Sequence, residues 1–233
     1  MNDIFIRTTA LVGEENFLKI KKAHVVLCGC GGVGSYAFEA LVRTGVGKIT
    51  VIDNDVVTTS NINRQIIATA DSVGQYKTDV AGFRAKLINP DIDYVGIKEF
   101  LTDKNISDIL PQNADFIIDA IDFVPAKVAL AKYSEDAGIP LICCLGTGNR
   151  LDASAFSVKD IYSTSGCPLA RKMRYELKKS GVKKLKVLVS DAPTVTPQAV
   201  FDNGKRTVGS IAFVPSVAGL LCAQHVILNI LEK

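Results

Sequence analysis

Six polar side chains, Asp53, Asp55, Asn63, Arg64, Lys77 and Asp122, follow a glycine-rich stretch at residues 29–34. With Gly29, Gly31, Gly32 and Gly34 they are the residues whose types and spacing could do chemistry. Glycines at a tight turn let the backbone bend sharply and let a phosphate approach bare N–H groups. Asp53 comes 19 residues after Gly34, where a nucleotide-binding fold presents a carboxylate to the ribose hydroxyls. An acid that merely ends a strand has the same spacing. A nicotinamide enzyme needs few fixed cations beyond the turn. A triphosphate needs several, and a carboxylate for Mg²⁺, because charge moves onto the leaving pyrophosphate. Here Arg64 and Lys77 follow the ribose acid, and Asp122 could hold the metal. The set therefore suits ATP better than NAD. No Gly-Lys-Ser/Thr follows the glycines, so the α-phosphate rather than the γ becomes the candidate for attack.

The elements that must position these groups can be read in turn. Residues 3–22 predict a leading helix with Leu11, Phe17, Leu18 and Ile20 as its apolar side. The apolar run 25–28 enters the glycines, and helical periodicity resumes at Ser35: strand, turn, helix. Residues 48–53 predict a second strand ending in Asp53. The polar stretch 54–65 reads as a loop, and 75–88 as a helix ended by Asn89-Pro90. A short strand at 93–97 precedes a buried parallel strand at 114–120, with Asp122 just beyond its carboxyl end, where open α/β sheets bind ligands. A helix at 125–137 and a strand at 140–145 continue the series. After Gly148 the pattern changes: strands at 153–158 and 185–189, and a helix at 168–180 with Leu169, Met173 and Leu177 on one face. Residues 192–209, with two prolines and the turn residues Asn203, Gly204 and Gly209, predict a mobile loop.

These elements predict an α/β fold, Rossmann-like, with a mostly parallel sheet flanked by helices and a smaller C-terminal strand–helix extension. The chain has 233 residues, 48% hydrophobic, enough for one such domain over 1–233. Within it, 1–150 reads as the nucleotide-binding core and 151–233 as the part facing the substrate. The net charge of +3 excludes no class of partner. Residues 171–186, however, hold eight Lys or Arg against one Glu, the charge pattern of a polyanion-binding face or of a solvated helix. The six cysteines form neither a disulfide framework nor a paired C-x-x-C zinc site, which fits reduced thiols in a cytoplasmic protein. Residues 211–231 are apolar enough to be mistaken for a membrane span. Pro215, Gln224, His225 and Asn229 within them favour a buried core or interface helix.

Five linked motifs carry a resemblance. They are Gly29-Cys30-Gly31-Gly32-Val33-Gly34-Ser35, Asp53-Asn54-Asp55, Asn61-Ile62-Asn63-Arg64-Gln65, Gly74-Gln75-Tyr76-Lys77 and Asp119-Ala120-Ile121-Asp122. In this order they resemble the adenylation core of the ubiquitin-activating (E1-like) superfamily over residues 5–150. Arg43-Thr44-Gly45-Val46-Gly47, Ile88-Asn89-Pro90 and Gly209-Ser210 with Phe213-Val214-Pro215-Ser216 extend the resemblance to the bacterial tRNA threonylcarbamoyladenosine dehydratases, across nearly the whole chain. The resemblance implies a homodimer. It implies ATP with Asp53 on the ribose, Arg64 and Lys77 on the phosphates, Asp122 on Mg²⁺, and Arg7 reaching the phosphates from the neighbouring subunit. Asp55 and Asn63 are counted with the nucleotide-binding residues. One departure is Ser190-Asp191-Ala192-Pro193, where the resemblance leads one to expect a glutamate.

The implied reaction activates the threonyl carboxylate of the modified tRNA adenosine as an acyl-adenylate, then closes a ring on the modification's own nitrogen. A carboxylate ionised at neutral pH needs no general base for the first step. A rival reading is an enzyme that adenylates the C-terminus of a sulfur-carrier protein, with Cys167 as a candidate acceptor thiol. Such enzymes commonly carry two C-x-x-C pairs, which this chain lacks. A nicotinamide dehydrogenase or a non-catalytic nucleotide-binding module is a third reading. A sulfur-transfer or cysteine-desulfurase partner protein is left open.

Overall fold

The computed structural model describes residues 3–165, 167–202 and 204–232. Two helices, α1 (Ile6–Val12) and α2 (Glu14–Lys22), stand where one was expected over 3–22. They break at Gly13, whose φ of +84° cannot continue a right-handed helix. The expected apolar side divides with them. Ile20 is buried and Phe17 half-buried, but Leu11 and Leu18 are 85% and 52% exposed. Periodicity marks an apolar face without saying what covers it.

The chain then alternates: β1 (His24–Cys28), α3 (Gly34–Thr44), β2 (Lys48–Ile52), α4 (Lys77–Ile88), β3 (Asp93–Ile97), α5 (Ile106–Ile109), β4 (Phe116–Asp119), α6 (Val124–Ala137) and β5 (Leu141–Cys144). After it come β6 (Phe156–Asp160), α7 (Pro168–Lys179), β7 (Lys186–Ser190) and α8 (Phe213–Glu232). The strand expected at 153–158 is thus displaced toward its C-terminal side, because Asp152 accepts the Ser154 N–H and holds the preceding residues in a turn. The segment 192–209, expected as a loop, contains a short hairpin, β8 (Phe201–Asp202) with β9 (Lys205–Arg206). Asn203 lies outside the described residues.

Seven strands form one sheet in the order β3-β2-β1-β4-β5-β7-β6. All neighbours run parallel except β6, which is antiparallel to β7. The chain winds from β1 to β3 toward one edge, then returns to place β4 on the other side of β1. The carboxyl ends of β1 and β4 therefore flank the point where the winding reverses, the place where open α/β sheets bind ligands.

Alternation along the strands supplies two cores. Val25 and Leu27 face a layer of α2, α3, α4 and α8, and Val26 and Cys28 face a layer of α5, α6 and α7. All five residues of β1 are buried, as a central parallel strand covered on both faces requires. α8 has 20 residues and a mean hydropathy of 1.7, so by length and composition it could cross a membrane. It packs along α3 instead, burying Val214, Ala218, Cys222, Val226 and Ile230. The approach is close. A Cβ on Gly219 would stand 2.3 Å from the Val33 carbonyl oxygen, at the start of α3.

Candidate active site

A crevice of about 540 Å³ opens over the carboxyl ends of the strands. Its walls bring together Gly29, Gly31, Gly32, Asp53, Asp55, Arg64, Lys77 and Asp122, from loops after β1, β2 and β4 and from the start of α4. Gly34 lies behind the wall and shapes it. A Cβ there would sit 1.9 Å from the Gly29 carbonyl oxygen, so the turn closes only on a glycine. The turn delivers the N-terminus of α3, with its unpaired N–H groups and dipole, to the crevice. Asn63 is not on the wall. Its amide donates to the Ser210 carbonyl at 3.1 Å and its oxygen accepts from Arg64 at 2.9 Å, so it orients the arginine and ties down the far loop. Arg7 is exposed on α1 and does not line the crevice of its own chain.

The acid after β2 holds the surrounding turns together. Asp53 Oδ2 accepts the Cys30 N–H at 2.6 Å, and Oδ1 accepts the Asp55 N–H at 2.8 Å. One carboxylate thus fastens the glycine turn to the end of β2. Burial raises its pKa above the usual carboxylate value, against the pull of Lys77. Lys77 is itself buried, with its Nζ 2.6 Å from Asp55 Oδ2 and 3.9 Å from Asp53 Oδ1. Arg64 donates to the Ser60 carbonyl at 2.8 Å and is held at the rim. Asp122 is exposed and lines the same crevice as the two cations.

Beneath Asp122 lies a buried ion pair that sequence reasoning missed. Lys127 Nζ donates to Asp119 Oδ1 at 3.0 Å and to the Cys144 carbonyl at 2.8 Å. Both side chains are fully buried. Burial lowers the Lys127 pKa, but the charge and hydrogen bond of Asp119, together with Cys143 and Cys144, outweigh it, and the ammonium is held above its ordinary value. Asp119 Oδ1 also accepts the Ile121 N–H, so the pair fixes the turn that presents Asp122. Lysine in an amphipathic helix reads as a solvated residue, and no local signal would have found this pair. Asn61 and Gln65 were likewise missed as buried residues of the 54–65 stretch, which is folded by a short helical turn at Thr59–Asn61 with reciprocal Thr58 and Asn61 caps.

The crevice extends past these residues to Gly146, Thr147, Gly148, Leu169, Val208 and Ser210. Leu169 is the second residue of α7, so the basic helix starts at this end of the crevice. Met173 and Leu177 are buried, as the apolar stripe predicted, and Arg171, Lys172, Lys178 and Lys179 are exposed. Cys167 caps α7: its buried sulfur accepts the Ala170 N–H at 3.5 Å, and Pro168 follows as the first helical residue.

Several known proteins are similar to this chain. A model described as the ThiF family matches residues 5–233. A tRNA threonylcarbamoyladenosine dehydratase of Bacillus subtilis is 36% identical over 240 residues, 98% of this chain and 94% of that protein. The crystal structure of the Escherichia coli tRNA N6-threonylcarbamoyladenosine dehydratase, TcdA, in complex with ATP superposes with a TM-score of 0.90 at 34% identity, covering 98% of this chain and 94% of that one. The sulfur carrier protein ThiS adenylyltransferase of Bacillus subtilis is 33% identical over 142 residues, which are 59% of this chain and 42% of that protein.

Proposed function

The chain belongs to the ThiF family, and from that premise we propose that it is an ATP-dependent tRNA threonylcarbamoyladenosine dehydratase. One observation carries the choice within the family. Likeness to the dehydratases runs through the substrate end of the crevice to the last helix, whereas likeness to the sulfur-carrier enzyme covers only 59% of the chain. The reaction begins when the threonyl carboxylate attacks the α-phosphorus of ATP. A C–O–P linkage forms, the bond to the β-phosphate breaks, and pyrophosphate leaves. The modification's own nitrogen then attacks the acyl carbon, a ring closes, and AMP departs with the former carboxylate oxygen. The net change in the nucleoside is loss of one water. Mass spectrometry of tRNA nucleosides after incubation with enzyme and ATP tests this. Unchanged threonylcarbamoyladenosine would remove the reading, and a sulfur-carrier adenylate formed instead would favour the rival.

The geometry supports a role for each of these residues. Asp53, already fixed by the Cys30 N–H, meets the ribose, and Asp55 and Asn63 hold the two cations in place. Lys77 and Arg64 lie on the phosphates, with Lys77 exchanging Asp55 for phosphate oxygens. Among the described residues no three His, Cys, Asp or Glu side chains converge as a metal cage. That suits Mg²⁺, which keeps several waters and takes one or two carboxylates together with phosphate oxygens. Asp122 would be its protein ligand, and the ion would neutralise charge on the departing pyrophosphate. Positioning and fixed charge suffice for this step without a protein nucleophile.

The assembly we propose is a homodimer in which Arg7 enters the partner's crevice. The exposed Ile4, Ile6, Leu11 and Leu18 around Arg7 support an apolar contact with a second copy. Mixing Arg7→Ala with Lys77→Ala protein should then restore activity to roughly a quarter of wild type, because hybrids of a two-fold dimer hold one complete site. No recovery, with subunit exchange demonstrated, would place Arg7 in its own subunit or outside the mechanism.

The tRNA path runs along α7. Its outward face and the residues after it carry Arg171, Lys172, Lys178, Lys179, Lys183 and Lys184, all exposed, with the exposed Tyr175 ring 4.2 Å from Lys179 Nζ. Cations interleaved with an aromatic ring suit a phosphate backbone and its bases. Reversing Lys178, Lys179, Lys183 and Lys184 to Glu should weaken tRNA binding and flatten its salt dependence, by about one unit of log–log slope for each phosphate no longer engaged. ATP binding should hardly change, since exposed charges beyond about 10 Å are screened at ~0.1 M salt. Unchanged tRNA affinity and slope would leave this face a solvated surface. ATP and tRNA meet in the cytoplasm, where we place the enzyme.

A further inference from the structure

Arg150 is buried, only 7% exposed, and no carboxylate pairs with it among the described residues. A guanidinium taken out of water without a counter-charge is costly, and proteins place one there when something anionic compensates it. The hydrogen bonds it makes all leave from Nη1, to the Ala192 carbonyl and, at 3.5 Å, to Ser190 Oγ. Nε is buried without a partner, and Nη2 makes no hydrogen bond among the described residues. The free Nε–Nη2 edge is the fork that takes a carboxylate or phosphate through two parallel bonds.

Its place in the fold gives the edge a meaning. Arg150 lies within the loop between β5 and β6, two residues beyond Gly148, and reaches the end of β7 at Ser190. Gly146, Thr147 and Gly148 of the same loop line the substrate end of the crevice, and Arg150 follows them closely in sequence without itself being on its wall. The neighbouring segment is fastened to this loop: Asn149, in a left-handed conformation with φ 57°, exchanges hydrogen bonds with Gly209 and accepts the Val195 N–H. Ser190 to Ala192 is also where a glutamate was expected; the acid that stands there, Asp191, pairs with Lys159 at 2.5 Å instead of with the arginine.

We propose that Arg150 binds an oxyanion of the modified tRNA at the substrate end of the crevice. The threonyl carboxylate, planar and matched to the fork, is the first source; a backbone phosphate of the same nucleotide is the second. This rests on the dehydratase reading, and wild-type conversion of modified tRNA is measured first so that failure of that reading is seen separately.

The test pairs a change in the protein with a change in the ligand. Binding of N6-threonylcarbamoyladenosine, and of its threonine carboxamide, is measured by calorimetry on wild type, Arg150→Met and Arg150→Lys, with ATP affinity and thermal unfolding as controls. Removal of a charge-assisted bidentate pairing should weaken the nucleoside by about 10- to 100-fold in Arg150→Met. The carboxamide should lose a similar factor on wild type and little more on the variant, and Arg150→Lys should recover part of the loss. A structural clasp alone would not couple to the ligand's charge. If nucleoside binding is unchanged but unmodified tRNA binds Arg150→Met more weakly, the anion is a backbone phosphate. Equal losses for acid and amide, or no loss with any ligand, overturn the proposal. Should Arg150→Met fail to fold, the acid–amide comparison on wild type decides alone: equal binding of the two, with unmodified tRNA indifferent to Arg150→Lys, overturns it as well.

Discussion

Asp122→Ala and Arg64→Ala should each slow acyl-adenylate formation by about 100-fold or more, the effect of deleting one preorganised charge from a transition state. Pyrophosphate release from ATP with modified tRNA reads this directly. Both residues stand on loops at the crevice and neither is part of either core, so unfolding temperatures should stay near wild type. The two losses should also differ in kind. Arg64 is anchored by the Ser60 carbonyl and Asn63, so its loss removes a cation already in position. Asp122 has its own turn fixed from below and would act through the metal, so raised Mg²⁺ should recover part of its activity and none of that of Arg64→Ala. Near-normal turnover by either variant would mean that the catalytic groups lie elsewhere.

The largest effect on stability is expected at Lys127. Lys127→Met leaves the fully buried Asp119 carboxylate without its cation, and its Oδ2 already lacks a partner. Removing one member of a buried pair costs about 3–5 kcal/mol, which for a chain of this size lowers the melting temperature by roughly 6–20 °C. The double variant Asp119→Leu with Lys127→Met should be more stable than Lys127→Met alone, because an apolar replacement removes the unpaired charge. Its adenylation should remain impaired even so, since the Ile121 N–H that shapes the Asp122 turn has lost its acceptor. A single variant that melts within a degree or two of wild type would show that water reaches Asp119.

What the sequence reveals of this site divides by distance along the chain. Glycines at a turn, an acid just past β2 and another just past β4 are local signals, and the structure brings them to one crevice. The break at Gly13 was also visible as an isolated glycine in a helical pattern. The exposure of Leu11 and Leu18 was not, because the pattern that buries a helix in a core is the same as the one that offers it to a second copy. Lys127 needs the sheet between β4 and β5 before its burial can be seen. Arg150 needs the end of β7, 40 residues away. Glu39 is similar: it gathers Arg43 from its own helix and Arg84 from α4, and those two hydrogen-bonded cations hold its carboxyl below the usual value although burial pushes the other way.

The close seat of Gly219 on Val33 has a consequence for biosynthesis. β1, the glycine turn and α3 leave the ribosome early, whereas α8 is made after every other described element. Until it arrives, Ala37, Phe38 and Leu41 of α3 lack part of the apolar layer that covers them, and Pro215, which borders Gly32, is missing from the crevice. A nascent chain can therefore pair its strands as they emerge, but its glycine turn stays unbraced until α8 has been made. The uncovered face of α3 is an apolar stripe of the kind that chaperones hold. Incomplete translation products should accordingly be inert toward ATP and should be found with chaperones or proteases, so that a stalled ribosome yields no half-active adenylating enzyme.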